Sequence, residues 1–198
     1  MKNYLKQFCG HLKTVLVHKW WVLYYANGLG ITWQGLIHDL SKFSPTEFSE
    51  SVRYWTGKRS PIVVAKEKTG ISYAWLHHKG RNRHHYEYWI DKLDQGGVPH
   101  KIPFKYVLEM ICDGCAACRT YSGDGKDIFI REYEWWKERI DRVNIHEQTK
   151  KLIISILLSL SILSEHCAGT PSTTRNAMRF FKRSPFLLKR MKDNYSVS

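Results

Sequence analysis

Residues Gly35-Leu36-Ile37-His38-Asp39-Leu40-Ser41-Lys42-Phe43-Ser44-Pro45-Thr46-Glu47 decide how the rest of the chain is read. Their second half marks a helix start: a Ser cap, Pro at the first helical position and Glu three residues after the cap. A helix is therefore predicted from Pro45 to about Tyr54. The first half belongs to a preceding helix that starts near Thr32 and carries His38-Asp39 toward its end. An adjacent His-Asp pair offers one imidazole nitrogen and one carboxylate to a single cation. On a helix, Lys42 lies four residues after His38 and three after Asp39, so its ammonium rises on the same side. A cation beside a metal suits phosphate chemistry, because charge accumulates on the non-bridging oxygens as the ester bond breaks.

Outward from this stretch the periodicity is helical. Leu5, Phe8, Leu12, Val15, Leu16, Trp20, Leu23 and Tyr24 recur at three- and four-residue intervals over 3–26, and the pattern stops at Asn27-Gly28. Further helices are predicted over 62–79 with a break near Gly70, and over 104–121, 129–142 and 147–165. Gly80-Arg81-Asn82-Arg83, residues 95–103 and 122–125 read as turns or loops. Strand-like alternation is nearly absent. The expected fold is all-α, a single bundle of about six to eight helices.

Composition sets the outer limits. At 198 residues and 43% hydrophobic content the chain can bury a core, and five cysteines, an odd number, do not make a closed disulfide framework. The first residues lack the apolar stretch of a secretory signal. The longest apolar run, 152–163, is about half of the ~20 residues a membrane-spanning helix needs. A reducing cytoplasm is the expected address. The formal net charge of +13 points to an anionic partner.

Domain organisation changes after His166. Residues 1–166 read as the helical domain and 167–198 as a linker followed by a basic tail. Ala168 to Thr174 is a linker by content, and the remainder holds seven Lys or Arg against one acid, Asp193. Phe180, Phe181, Phe186, Leu187 and Leu188 are interleaved with those cations, as in an amphipathic interfacial helix. Contact with nucleic acid or an anionic membrane through this tail, docking on its own domain, or a homo-oligomer are the partner readings.

The histidine supply outside His38 gives the site. Each divalent ion wants about three or four protein ligands, and two ions need a carboxylate between them. His18, His38, Asp39 and Asp113 form one ligand set; Asp39 bridges to a second of His78, His84 and His85. His77 competes with His78, since the two point about 100° apart on a helix. Asn82 and Glu87 are candidates to orient imidazoles. Glu47 is read as the capping acid, and Glu109, one turn before Asp113, as a salt-bridge residue near the site edge. His11, His100, His146 and His166 are read as ordinary histidines. Cys112-x-x-Cys115-x-x-Cys118 is read as buried thiols, because no fourth soft ligand lies at a recognisable spacing.

The ligand order resembles the HD-domain superfamily of metal-dependent phosphohydrolases, whose pattern is a His, then His-Asp, then a late Asp. Two-metal members insert further histidines, here His77/His78 and His84-His85. His38-Asp39-Leu40-Ser41-Lys42 is similar to their His-Asp-x-x-Lys, where the lysine faces the substrate phosphate. Several strings are similar to a bacterial and phage family within or near that superfamily whose reaction is not settled. They are 38–48, Ala74-Trp75-Leu76-His77-His78, Asn82-Arg83-His84-His85-Tyr86-Glu87-Tyr88-Trp89 and Tyr106-Val107-Leu108-Glu109-Met110-Ile111-Cys112-Asp113. The resemblance spans about 10–165 and implies an HD-like bundle.

It also implies a divalent-metal phosphohydrolase acting on a nucleotide or other phosphorylated small molecule. One or two ions, with Mn, Fe or Zn favoured over Mg alone by the imidazole-rich set, would bind phosphoryl oxygens and activate a water. Asp39 and Lys42 are the catalytic candidates; Arg81 and Arg83 are helpers in neutralising charge. Some superfamily members use similar ligands in a di-iron centre that activates oxygen. A non-catalytic basic module with structural histidines is the third reading.

Overall fold

The computed structural model describes residues 2–91, 96–122, 125–168 and 173–196. Ten α-helices dominate: α1 Lys2–Leu29, α2 Thr32–Ile37, α3 Pro45–Tyr54, α4 Pro61–Thr69, α5 Tyr73–Arg81, α6 Phe104–Ser122, α7 Ile128–Arg139, α8 Glu147–His166, α9 Thr173–Arg183 and α10 Pro185–Ser196. The only strands among the described residues, β1 Ile90–Asp91 and β2 Val98–Pro99, form one antiparallel pair with Ile90 opposite Pro99. The fold is all-α, as the periodicity predicts.

Several boundaries correct the sequence reading. α1 does not stop at Asn27-Gly28. It ends at Leu29, where Gly30 takes a left-handed φ of 84° and the Ile31 amide donates to the Ala26 carbonyl at 2.8 Å. This is a Schellman-type ending, for which glycine carries no β-carbon penalty. Gly28 is instead a packing notch, since a β-carbon there would lie 2.4 Å from Met178 Sδ. The break expected near Gly70 is there: residues 62–79 split into two helices at Gly70, also left-handed, and Ser72 caps α5 by accepting from the Trp75 amide. Thr173 and Thr174, read as linker, open α9. Residues 169–172 of that linker, 92–95 before β2 and 123–124 of the turn after α6 lie outside the described residues.

The core explains how the site is held. Val22, Tyr25, Ala26 and Leu29 on α1 meet Val107, Leu108, Ile111, Cys112 and Cys115 on α6, and Ile153, Ile156, Leu157 and Leu160 on α8 complete the layer. His18 lies on the inward stripe of α1 one turn before Val22, and Asp113 follows Ile111 and Cys112 on α6, so one packed helix pair positions two distant residues. Each fully buried aliphatic side chain contributes roughly 1.5–3 kcal/mol, so this placement is firmly set. α2 is pressed on α1 through Gly35, where a β-carbon would meet Ala26 Cβ at 2.6 Å and Leu23 Cα at 3.1 Å. The tail also folds back: α9 packs on α8 and α1, with Ala177, Met178 and Phe181 buried in the core. No helix among the described residues is long and apolar enough to cross a membrane.

Candidate metal centre

His38 and Asp39 do not lie within a helix. α2 ends at Ile37, His38 is extended with ψ 130°, and Asp39 takes a left-handed φ of 51° before a 3-10 turn over Leu40–Phe43. The sequence reading carried the helix through this pair. The break turns both side chains inward, and Lys42 still reaches Asp39 because the 3-10 turn brings residue i+3 above residue i. Its Nζ lies 2.6 Å from Asp39 Oδ2. From α1, Lys19 fixes the break by donating to the Leu36 and His38 carbonyls at 2.8 and 2.7 Å.

Around Asp39 the structure gathers the side chains that the sequence grouped. His18 Nε2 is 2.9 Å from Asp113 Oδ1, and His38 Nε2 is 3.1 Å from Asp39 Oδ2 and 3.3 Å from Asp113 Oδ1. His78 Nε2 and His84 Nε2 each lie 3.4 Å from Asp39 Oδ1. Potential ligand atoms of His18, His38, Asp39 and Asp113 fall within 4.8 Å of one another, as do those of Asp39, His78, His84 and His85. Asp39 belongs to both groups. Either group can hold a metal ion: each combines neutral-capable imidazoles with carboxylate at tetrahedral or higher count.

Three atoms facing this space make no hydrogen bond, His84 Nε2, His85 Nε2 and Asp39 Oδ1, whereas Asp39 Oδ2 takes the Lys42 ammonium and faces His38 Nε2. Buried polar atoms are rarely left so, since each costs about 1–3 kcal/mol. Convergent imidazole lone pairs and carboxylate oxygens are what divalent cations coordinate, so the residues fit a metal.

Two buried glutamates hold the rings from behind; the sequence reading put Glu109 at the site edge as a salt-bridge residue and took Glu47 for a capping acid alone. Glu109 Oε1 faces His38 Nδ1 at 3.0 Å and His84 Nδ1 at 3.3 Å, while Glu47 Oε2 faces His78 Nδ1 at 2.7 Å. A proton on each Nδ1 donated outward leaves Nε2 directed at the centre. Glu47 Oε1 takes His77 at 2.7 Å, which places His77 outside both ligand groups and His78 inside. Asn82 donates to Ser41 Oγ at 2.8 Å and to the His78 carbonyl at 2.9 Å, tying α5 to the 3-10 turn. Glu87 lies outside the groups, with a buried, unpartnered Oε2. Arg81 and Arg83 are exposed and do not join the cluster; the Arg83 guanidinium donates to Tyr106 Oη.

The charges in the cluster compensate one another at close range. Burial opposes ionisation of Asp39, yet His38 and Lys42 hold its carboxyl well below the usual range, and His18 and His38 do the same for Asp113. Burial would lower His38, but Asp39, Asp113 and Glu109 raise it well above the usual histidine value. A proton on His38 thus compensates Asp113 and Glu109, and shares the compensation of Asp39 with the Lys42 ammonium. His18 is pushed down to about 4 by burial and then by Lys42, and His85 is lowered by burial and the neighbouring His84. Both are neutral at pH 7, the state a ligand needs.

Two cavities open onto the cluster and share Trp75, His85 and Asp113. The smaller, about 190 Å³, adds His18, Lys42, Tyr121 and His11. His11, read as an ordinary residue, is buried and sits two turns before His18 on α1, a spacing that marks the same face. The larger, about 610 Å³, is walled by Trp75, Tyr86, Trp135 and Trp136 and carries Glu87 and Glu132. Burial, then Asp113, pushes the Glu132 carboxyl up to about 8. Cys112 and Cys115 are buried in the core, outside both ligand groups.

Glu109→Gln is expected to weaken divalent-metal affinity about 10- to 100-fold, since one neutral amide replaces the anion that orients two imidazoles. Competition against a chelator of known affinity reads this directly.

Fold and site define an all-α protein whose buried His/Asp clusters can bind metal. Residues 7–159 match a family of unknown function (DUF5662), and the chain belongs to that family. No curated protein and no solved structure matches it.

Proposed function

We propose that the chain is a divalent-metal-dependent phosphohydrolase, acting on a nucleotide or another phosphoester through a mono- or dinuclear His/Asp centre. The observation that carries this reading is the sharing of Asp39 by two four-residue ligand groups, with the inward Nε2 atoms of His84 and His85 unpartnered and the Lys42 ammonium 2.6 Å from the shared carboxylate. The groups contain the His, His-Asp and late Asp of the HD-domain pattern, which supports the same conclusion.

His18, His38, Asp39 and Asp113 would hold one ion, and Asp39, His78, His84 and His85 a second. Cations there supply Lewis-acid stabilisation of phosphoryl oxygens and activation of the attacking water. Manganese, iron and zinc suit the imidazoles better than magnesium alone. Lys42 stays charged, because Asp39 and Asp113 raise its pKa against the effect of burial, and it neutralises charge developing on the phosphoryl group. The smaller cavity has the size and cation for that group. The larger, aromatic one suits the organic part of the ester, with ring faces for stacking.

The test is phosphate release from a panel of phosphomonoesters, phosphodiesters and nucleotides, by protein loaded in turn with manganese, iron, zinc or magnesium. Turnover on at least one substrate, abolished by chelation, is expected; none across the panel overturns the reading. Oxygen consumption with an iron-dependent spectrum and no phosphate release would assign the ligands to oxygen activation instead.

A further inference from the structure

The basic tail encloses a groove that the candidate metal centre does not use. Tyr195, buried on α10, donates its hydroxyl to the Ile102 carbonyl and lies 2.8 Å from Thr149 Oγ1. This anchor holds α10 over the segment entering α6 and leaves between them a cavity of about 940 Å³. Lys101, Lys105, Lys189 and Lys192 line it, against a single acid among its described lining residues, Asp193. At its edge, beside Leu29 and Gly30, Lys182 donates to the Asn27 carbonyl at 3.4 Å and adds a fifth ammonium. None of these residues belongs to either ligand group.

Which anion fits is argued from where the described apolar residues of the tail have gone; the side chains of Phe186 and Leu187 lie outside the described ones. Membrane-surface helices need an exposed apolar face to insert. Here Ala177, Met178 and Phe181 are buried in the core, and Leu188 and Met191 pack against it. Of the large hydrophobic side chains described on α9, only Phe180 is left exposed. The face turned to solvent is cationic: Arg175, Arg179, Lys182, Arg183, Lys189 and Lys192 are all exposed. A concave row of ammonium groups, with Phe104 in the wall, matches a chain of phosphates carrying bases that can stack. A groove of about 940 Å³ has room for a few nucleotides of one strand.

We propose that the groove between α10 and the start of α6 binds single-stranded nucleic acid through its backbone phosphates, without sequence preference. The site is separate from the phosphohydrolase reading and stands or falls without it.

The experiment is fluorescence anisotropy with a labelled twelve-nucleotide oligo(dT) and its RNA counterpart, beside a duplex of the same length and vesicles of 30% phosphatidylserine. With about four phosphates neutralised, log affinity should fall against log salt with a slope near −3, roughly a fifty-fold loss between 50 and 200 mM. The triple variant Lys105→Glu, Lys189→Glu, Lys192→Glu should lose at least about fifty-fold in oligonucleotide affinity at 50 mM salt while keeping its metal content. All three side chains are exposed; should this variant nonetheless unfold, Lys189→Gln with Lys192→Gln should lower affinity and flatten the slope by about 1.4. Reversal of Lys6, Lys58 and Lys68, exposed elsewhere, should cost less than threefold. No oligonucleotide binding at 50 mM salt, equal losses from the control variant, or tighter binding to vesicles or duplex than to the single strand would each overturn the proposal.

Discussion

Replacing Asp39 with asparagine is expected to lower bound divalent metal from about two ions per chain to one or fewer, and phosphate release by about 10³-fold. Both ligand groups contain Asp39, so one substitution withdraws an anion from each. The second group is left with three imidazoles and no carboxylate, and the first keeps a single carboxylate, Asp113. The backbone makes asparagine the informative choice. Asp39 sits at φ 51°, a left-handed conformation that Asn tolerates, whereas other side chains pay roughly 1–2 kcal/mol there. Asp39→Ala would therefore mix backbone strain with ligand loss, while Asp39→Asn isolates the charge. Elemental analysis beside a circular dichroism melt separates the two effects. A variant that folds and retains both ions would show that Asp39 is no bridge, and the dinuclear reading would fail.

How far the sequence foretold this centre depends on the range of the interactions involved. The order was legible because a site able to bind metal restricts residue types: seven His and Asp residues from α1, the 38–39 break, α5, the turn after it and α6 meet once the helices pack. The helical spans were legible because their apolar periodicity is local. The ending of α2 was not. Nothing in Leu36-Ile37-His38-Asp39 marks a left-handed residue, and the conformation of Asp39 is imposed by Lys19 from α1 and by the close packing at Gly35. Glu47 was misread for a related reason. The Ser44 cap accounts for a Glu at that position by itself, yet its carboxylate turns away to two histidines on α5, thirty and thirty-one residues later. Choosing between His77 and His78 likewise required the packing of α5 on α3. Arg81 and Arg83 lie close to His84 in sequence, but the end of α5 directs them to solvent, where the Arg83 guanidinium meets Tyr88 and Tyr106. In the tail, interleaved cations and phenylalanines look interfacial until α8 and α1 supply a surface that buries one side of α9.

Lys42→Met should produce the opposite dissociation: kcat/KM falls about 10²- to 10³-fold while both ions remain. Methionine keeps most of the apolar stem that lines the smaller cavity and removes only the ammonium. Lys42 is in neither ligand group, and its charge beside Asp39 repels any cation bound there. Metal affinity should therefore hold or tighten in the variant, so activity and metal content part company. The acid limb of metal loading supplies a second readout with a defined sign. Burial and then Lys42 depress His18 to about 4, so removing the ammonium lets His18 take up a proton at higher pH. A protonated imidazole cannot coordinate, so the part of the acid loss of metal that His18 protonation drives should move to higher pH in Lys42→Met than in the wild type. Lys42→Arg, which restores charge with different reach, should recover part of the activity and the acid-limb position together. Activity within threefold of wild type would remove Lys42 from the chemistry, and metal lost in parallel with activity would make its role structural.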